Sequence, residues 1–284
     1  ALAAALGAVP AVAEEGGGAA EPWIEELVDP APLEDRGAAA DLVLPMPCGG
    51  GMAFQRVAVP ADIANPLADR PFRMGQSEAA SGFSDYLRPT YLRGPFVDAD
   101  AAVTYYYIAR YEMNVAQMRA LTSACEAPFG RRDRFAAGEV SWFDAVDLLR
   151  RYTEWLLAEA PEALPASGDR IGFLRLPTEA EWEFAARGGI KTDPGQFLAR
   201  RFFQEGELSE YAHYQAPGQG RGKLRPVGLR APNAVGLFDI YGNAEELMLE
   251  PFRLNAVGRQ HGQAGGLVTR GGSIDTAEGD IYTA

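Results

Sequence analysis

The stretch Phe173–Gly189, Phe-Leu-Arg-Leu-Pro-Thr-Glu-Ala-Glu-Trp-Glu-Phe-Ala-Ala-Arg-Gly-Gly, constrains this chain more than any other. Pro177 keeps the approach to Thr178 extended. Thr178 can accept a backbone N–H at a helix start, and Glu181 three residues on can reach back, which makes a capping box. Trp182, Ala185 and Ala186 then share one helical face. Gly188-Gly189 ends the helix, because glycine takes the left-handed conformation without steric cost. The spacing predicts a short amphipathic helix closed at both ends.

A second capping pattern, Ser141 with Asp144, opens a longer helix. There Ala145, Leu148, Leu149, Tyr152, Trp155 and Leu156 recur at helical spacing to about Ala158. The folded part is expected to start at Leu42. Ala53–Val59, Phe72–Gly75 and Val103–Tyr111 read as strands, the last dense in β-formers. Glu112–Ser123 reads as a helix. Gly189–Val227 is irregular and polar, the pattern of a long surface excursion. Two capped helices, short strands and long Gly/Pro-rich loops make an α+β protein.

At 284 residues the chain can bury a substantial core in one domain or two. Its net charge of −13 argues against nucleic-acid phosphates and anionic membrane surfaces as partners. No apolar run reaches the ~18 residues that span a bilayer. Residues 1–13 read as the remnant of a signal peptide, with Ala11-Val12-Ala13 as a cleavage site, and so point to a periplasmic or secreted protein. An alanine-rich lead-in is the competing reading. Residues 14–41, rich in Gly, Ala, Pro and acid, read as a linker with one helical turn, in which only the Trp23-Ile24…Leu27-Val28 patch could dock on the rest. Cys48 and Cys125 fit one disulfide in an oxidising compartment, or two unrelated buried thiols. Gly218–Lys223 fails the P-loop pattern, since Lys223 precedes Leu224, and reads as a surface loop. His213 and His261 sit in polar contexts and read as lone surface histidines.

The capped stretch from Arg175 to Gly189 resembles the signature of the formylglycine-generating enzyme, or sulfatase-modifying factor, family. Phe72–Gly75, Arg110–Gln117, Val140–Ala145, Pro232–Asn243 and Arg270–Ser273 extend the resemblance in order, from about Leu42 onward, around an insertion between Val59 and Phe72. It implies a variant of the C-type-lectin fold, low in regular secondary structure, over residues 42–284. Relatives carry a final Gly-Phe-Arg-like strand that would follow Ala284, so the resemblance implies a chain continuing past it.

The resemblance also implies ligands. A structural calcium would take the side chains of Asp239 and Glu246 and the carbonyls of Gly242 and Ala244; the residues alone read equally as a solvated acidic turn. Calcium accepts such a mixed oxygen set. Where the family has a small residue, Trp, Glu and Trp, this chain has Ala244, Glu245, Glu246 and Leu247. A second family calcium site would need oxygen side chains near His213 and Gly228, where this chain has none. The family's oxidases hold Cu(I) through two cysteines after Arg-Gly-Gly-Ser, and those positions are Thr276 and Ile281 here. A hydroxyl and an alkyl group cannot replace soft thiolates. The expectation is a protein without copper and without the oxidase reaction. It would be a binding or assembly module for a protein, peptide or glycan, a pseudoenzyme in the family's terms. An enzyme of different oxidative or maturation chemistry is the alternative. A cleft lined by perturbed acids would favour the enzyme, a flat aromatic patch the binder.

Overall fold

The computed structural model describes residues 23–30, 39–60, 70–75, 87–123, 125, 127–203, 205–216, 222–253 and 264–283. The amino-terminal half supplies β1 (Leu42–Met46), β2 (Gly50–Pro60), β3 (Arg70–Met74), β4 (Arg88–Leu92), β5 (Phe96–Asp98) and β6 (Val103–Ala109). An antiparallel sheet in the order β1-β2-β6-β5 forms the middle layer, and β3 pairs with β4 apart from it. Three helices follow, α1 (Val115–Thr122), α2 (Trp142–Glu159) and α3 (Glu179–Ala186), and then the antiparallel pair β7 (Glu246–Arg253) and β8 (Ala264–Arg270). Fold class is α+β, as the sequence reads.

Strand alternation assigns each face of the sheet its own partner. Val57 and Val59 of β2, with Tyr106 of β6, meet Trp182, Phe184 and Ala185 of α3. Met52 and Phe54 point the other way, onto Leu148, Tyr152 and Leu156 of α2. Each such side chain, fully buried, contributes roughly 1.5–3 kcal/mol. The Tyr152 hydroxyl finds the Leu44 carbonyl at 3.1 Å, so its burial leaves no polar atom stranded.

Both expected capping boxes are present, at Ser141/Asp144 and Thr178/Glu181. A third box, Asn114 with Gln117, starts α1 at Val115, three residues later than the sequence reading had it. Past its first turn α3 carries a charged pair into the core. The side chains of Glu183 and Arg187 are each 1% exposed and lie 2.8 Å apart. Glu183 accepts the Gly75 N–H, while Arg187 donates to the carbonyls of Gly75, Phe197 and Ala199. The pair thus fastens the end of β3 and a distant loop to one helix.

Two sequence expectations are corrected. The stretch read as a linker contributes core residues: Leu27 is fully buried and Trp23 nearly so, beside Ala116 and Ala120 of α1. Asp29 completes the attachment, accepting from the buried Arg110 at 3.0 Å and from the Tyr111 hydroxyl at 2.6 Å. The folded part therefore includes residues well before Leu42. The excursion after Gly189 is likewise no surface loop throughout, since Leu208, Ala212 and Val227 are buried. Phe203 stacks on Tyr211 at 4.0 Å, and Phe202 on Tyr241 at 5.0 Å. Residues 1–13, His261 and most of the Gly218–Lys223 loop lie outside the described residues. Cys48 and Cys125 are joined, with Cα atoms 5.4 Å apart, which ties the β1–β2 turn to the region after α1. Among the described residues, no helix is long and apolar enough to cross a membrane.

Candidate functional site

Tertiary contacts converge on the turn between Asp239 and Glu246. Gly242 lies within 1.9 Å, measured from an ideal Cβ, of the His213 carbonyl oxygen, and its φ is +75°, so only glycine fits. The Asn243 N–H donates to that same carbonyl. Asn243 then links three segments, its side-chain oxygen accepting from Arg225 N and its amide donating to Glu112 at 2.6 Å. The other oxygen of Glu112 accepts the Ala244 N–H at 2.8 Å. Glu112 therefore closes the turn from the connection between β6 and α1. It stands inside the Arg110–Gln117 motif, where sequence alone makes it the first residue of a helix.

Glu246 accepts the Trp182 indole N–H at 2.9 Å, and Asp239 accepts the Gly228 N–H at 2.7 Å. These bonds orient two carboxylates that burial would otherwise disfavour. Burial pushes the Glu246 carboxyl up to about 7, with Asp239 adding to the rise and the Trp182 bond opposing it. Glu112 is raised well above the usual range, by burial first and then by Asp239 and Glu246.

This donor set fits a hard cation. Asp239 and Glu246 bring two charges into a low-dielectric turn, and among the described residues Glu246 has no ion-pair partner. No three acid, histidine or cysteine side chains converge there among the described residues, so carbonyls and water would complete the shell. The neighbourhood of His213 is different. His213 is half-buried rather than a surface residue, and burial with Arg230 and Arg225 lowers it to about 4. The two guanidinium groups repel a divalent cation there.

Thr276 and Ile281 have been absorbed by structure. The Thr276 hydroxyl accepts the Ser273 N–H at 2.8 Å and so serves the turn after β8. Ile281 is fully buried in the α3 core and offers no donor atom. With both cysteines of the chain joined to each other, these residues do not fit Cu(I).

Beside the acidic turn lies a cavity of about 1120 Å³, reaching from Leu44 and Leu148 past Tyr107 to Glu112 and Glu246. Ile171 and Phe173 at its rim are 56% and 67% exposed, so it opens to solvent. Glu245, standing where the resemblance expects a buried tryptophan, is an exposed residue of this wall.

The capped helix under the sheet, the closed acidic turn and the short strands together define a sulfatase-modifying-factor-like domain. The chain belongs to that family: the model of the sulfatase-modifying factor enzyme 1-like domain matches residues 72–282. It is 24% identical over 183 residues to the chaperone protein LppX of Paenibacillus barcinonensis, covering 54% of this chain and 65% of that one. It is 36% identical over 117 residues to inactive C-alpha-formylglycine-generating enzyme 2 of Mus musculus, covering 37% and 33%. The matched stretches span less than two thirds of either relative. The solved structure of Treponema denticola variable protein 1 has a TM-score of 0.54 at 20% identity, over 82% of this chain and 87% of that one, a likeness of fold.

Proposed function

We propose that this is an exported binding or assembly module that has the family's scaffold and lacks its sulfatase-activating oxidation. The observation that carries the reading is the ligand chemistry at Thr276 and Ile281, one a turn hydroxyl and the other a core alkyl group. The partial likenesses to a protein named as a chaperone and to one named as inactive support it. Export rests on the signal-peptide-like Ala1–Ala13 and on the joined cysteines, which suit an oxidising compartment. A periplasmic or secreted protein follows. Incubation with copper, oxygen, reductant and a Cys-x-Pro-x-Arg peptide is expected to yield no aldehyde by mass spectrometry. Aldehyde from the unmodified protein would end this reading.

The same proposal includes one structural calcium, held by Asp239, Glu246 and the carbonyls of Gly242 and Ala244. Bound only to the native state, it stabilises by mass action, about 2.7 kcal/mol at a hundredfold excess over Kd. Chelator is expected to lower Tm, and added calcium to restore it. An unchanged Tm with no calcium by metal analysis removes the site. The raised acids Glu112 and Glu246 on a cavity wall favour a second reading, an enzyme of different chemistry.

A further inference from the structure

The cavity's walls name the chemical class of its occupant, and this deepens the binding-module reading, on which it rests. We propose that the cavity binds an organic cation, a protonated or quaternary amine attached to an aliphatic or aromatic body.

Size sets the first limit. About 1120 Å³ slightly exceeds the usual run of small-molecule sites, which reach roughly 1,000 Å³. Leu44, Met52, Phe54 and Leu148 are buried hydrophobic residues on its wall, so most of the occupant has to be apolar. Aromatic residues are prominent as well: Phe96 and Tyr107 both line it, with ring centroids 6.1 Å apart. Aromatic faces attract cations through the ring quadrupole.

Charge decides the rest. The wall carries Glu139, Glu181, Glu245 and Asp275 against Arg170 and Arg175, while burial holds the carboxyls of Glu112 and Glu246 above the usual range. Arg175 is already matched by Glu181, both of its bonds to that carboxylate measuring 2.7 Å. Glu139, Glu245 and Asp275 are exposed and, among the described residues, have no ion pair. An anion would meet like charge on this wall. A neutral apolar ligand would strip water from carboxylates and give nothing back. An organic cation supplies both apolar contact and counter-charge. Calcium in the Asp239–Glu246 turn would leave Glu139, Glu245 and Asp275 still to be matched.

The test is calorimetric titration of the full chain in saturating calcium with three probes of one shape: 4-phenylbutylammonium, 4-phenylbutanol and 4-phenylbutyrate. Saturable binding of the ammonium is expected, at least tenfold tighter than either other probe. Leu149→Trp, which fills the cavity from α2, is expected to abolish it, and Glu245→Gln to weaken it at least threefold. Should Leu149→Trp fail to fold, Glu139→Gln on the exposed wall takes its place, with a threefold or greater loss expected. Equal binding of the alcohol overturns the cation class while leaving a binding module intact. Preference for the carboxylate, or no binding of any probe, overturns the proposal. Aldehyde formation in the separate peptide assay would instead remove the reading beneath it.

Discussion

Replacing Arg187 by methionine is expected to destabilise the domain by about 3–5 kcal/mol, the cost of breaking a buried ion pair from one side. The loss has two parts. Glu183, 1% exposed, would be left as an uncompensated charge or forced to take a proton, and burial already pushes its carboxyl up against the pull of Arg187. Three carbonyls, of Gly75, Phe197 and Ala199, would lose their donor. Adding Glu183→Leu to Arg187→Met removes the stranded charge and should recover part of the stability, because two apolar side chains pack where two ions stood. Recovery stays partial, since the Gly75 N–H and the three carbonyls remain unmet. Equilibrium urea unfolding of the three proteins measures this. A loss below about 1 kcal/mol in the single variant would place the pair with solvent-screened surface bridges and refute its role.

Second in size is the disulfide. The double variant Cys48→Ala/Cys125→Ala is expected to lose about 4 kcal/mol, because the crosslink closes a long loop and restricts the unfolded chain. The separation is 77 residues, and the Cα spacing of 5.4 Å lies inside the range that a disulfide tolerates. Native packing adds to the loss. The Trp23 indole donates to the Cys48 carbonyl at 2.9 Å and packs at a tilt against Phe129, so loosening the turn loosens the amino-terminal attachment. Reductant should reproduce the loss in the parent protein and leave the variant unchanged. Equal stability of the two proteins under oxidising conditions would sink the idea. Against a typical total of 5–15 kcal/mol, either change consumes much of the margin.

What could be read in advance follows contact range. Caps act over three residues, so Thr178/Glu181 and Ser141/Asp144 were legible, and the run Tyr105–Ile108 announced a central strand. Asn114/Gln117 carries the same signal and sets the start of α1 at Val115. The apolar patch Trp23–Val28 was legible as a docking element, but the part of Asp29 was hidden by composition. The patch's neighbours are Gly, Ala and acid, and the partner of Asp29 is an arginine 81 residues away. His213 looked like a surface residue for the same reason: nothing local says that Arg225 and Arg230 fold over it. At the candidate site the family pattern names Asp239 and Glu246, while the Arg110–Gln117 motif that contains Glu112 says nothing of its reach to Asn243.

That closure has a consequence for how the protein is made. Glu112 grips Asn243 from 131 residues upstream, Tyr152 reaches Leu44 over 108, and Thr283 is needed to meet the Arg200 carbonyl. A ribosome delivering this chain from its amino terminus releases β2 and β6 long before α3 and Ile281 exist to cover their second face. During that interval the sheet is half dressed, with Val57, Val59 and Tyr106 open to any apolar surface nearby. Contacts of such long reach also slow folding once synthesis ends. The nascent protein therefore depends on being kept apart from its neighbours until Ile281 and Thr283 arrive.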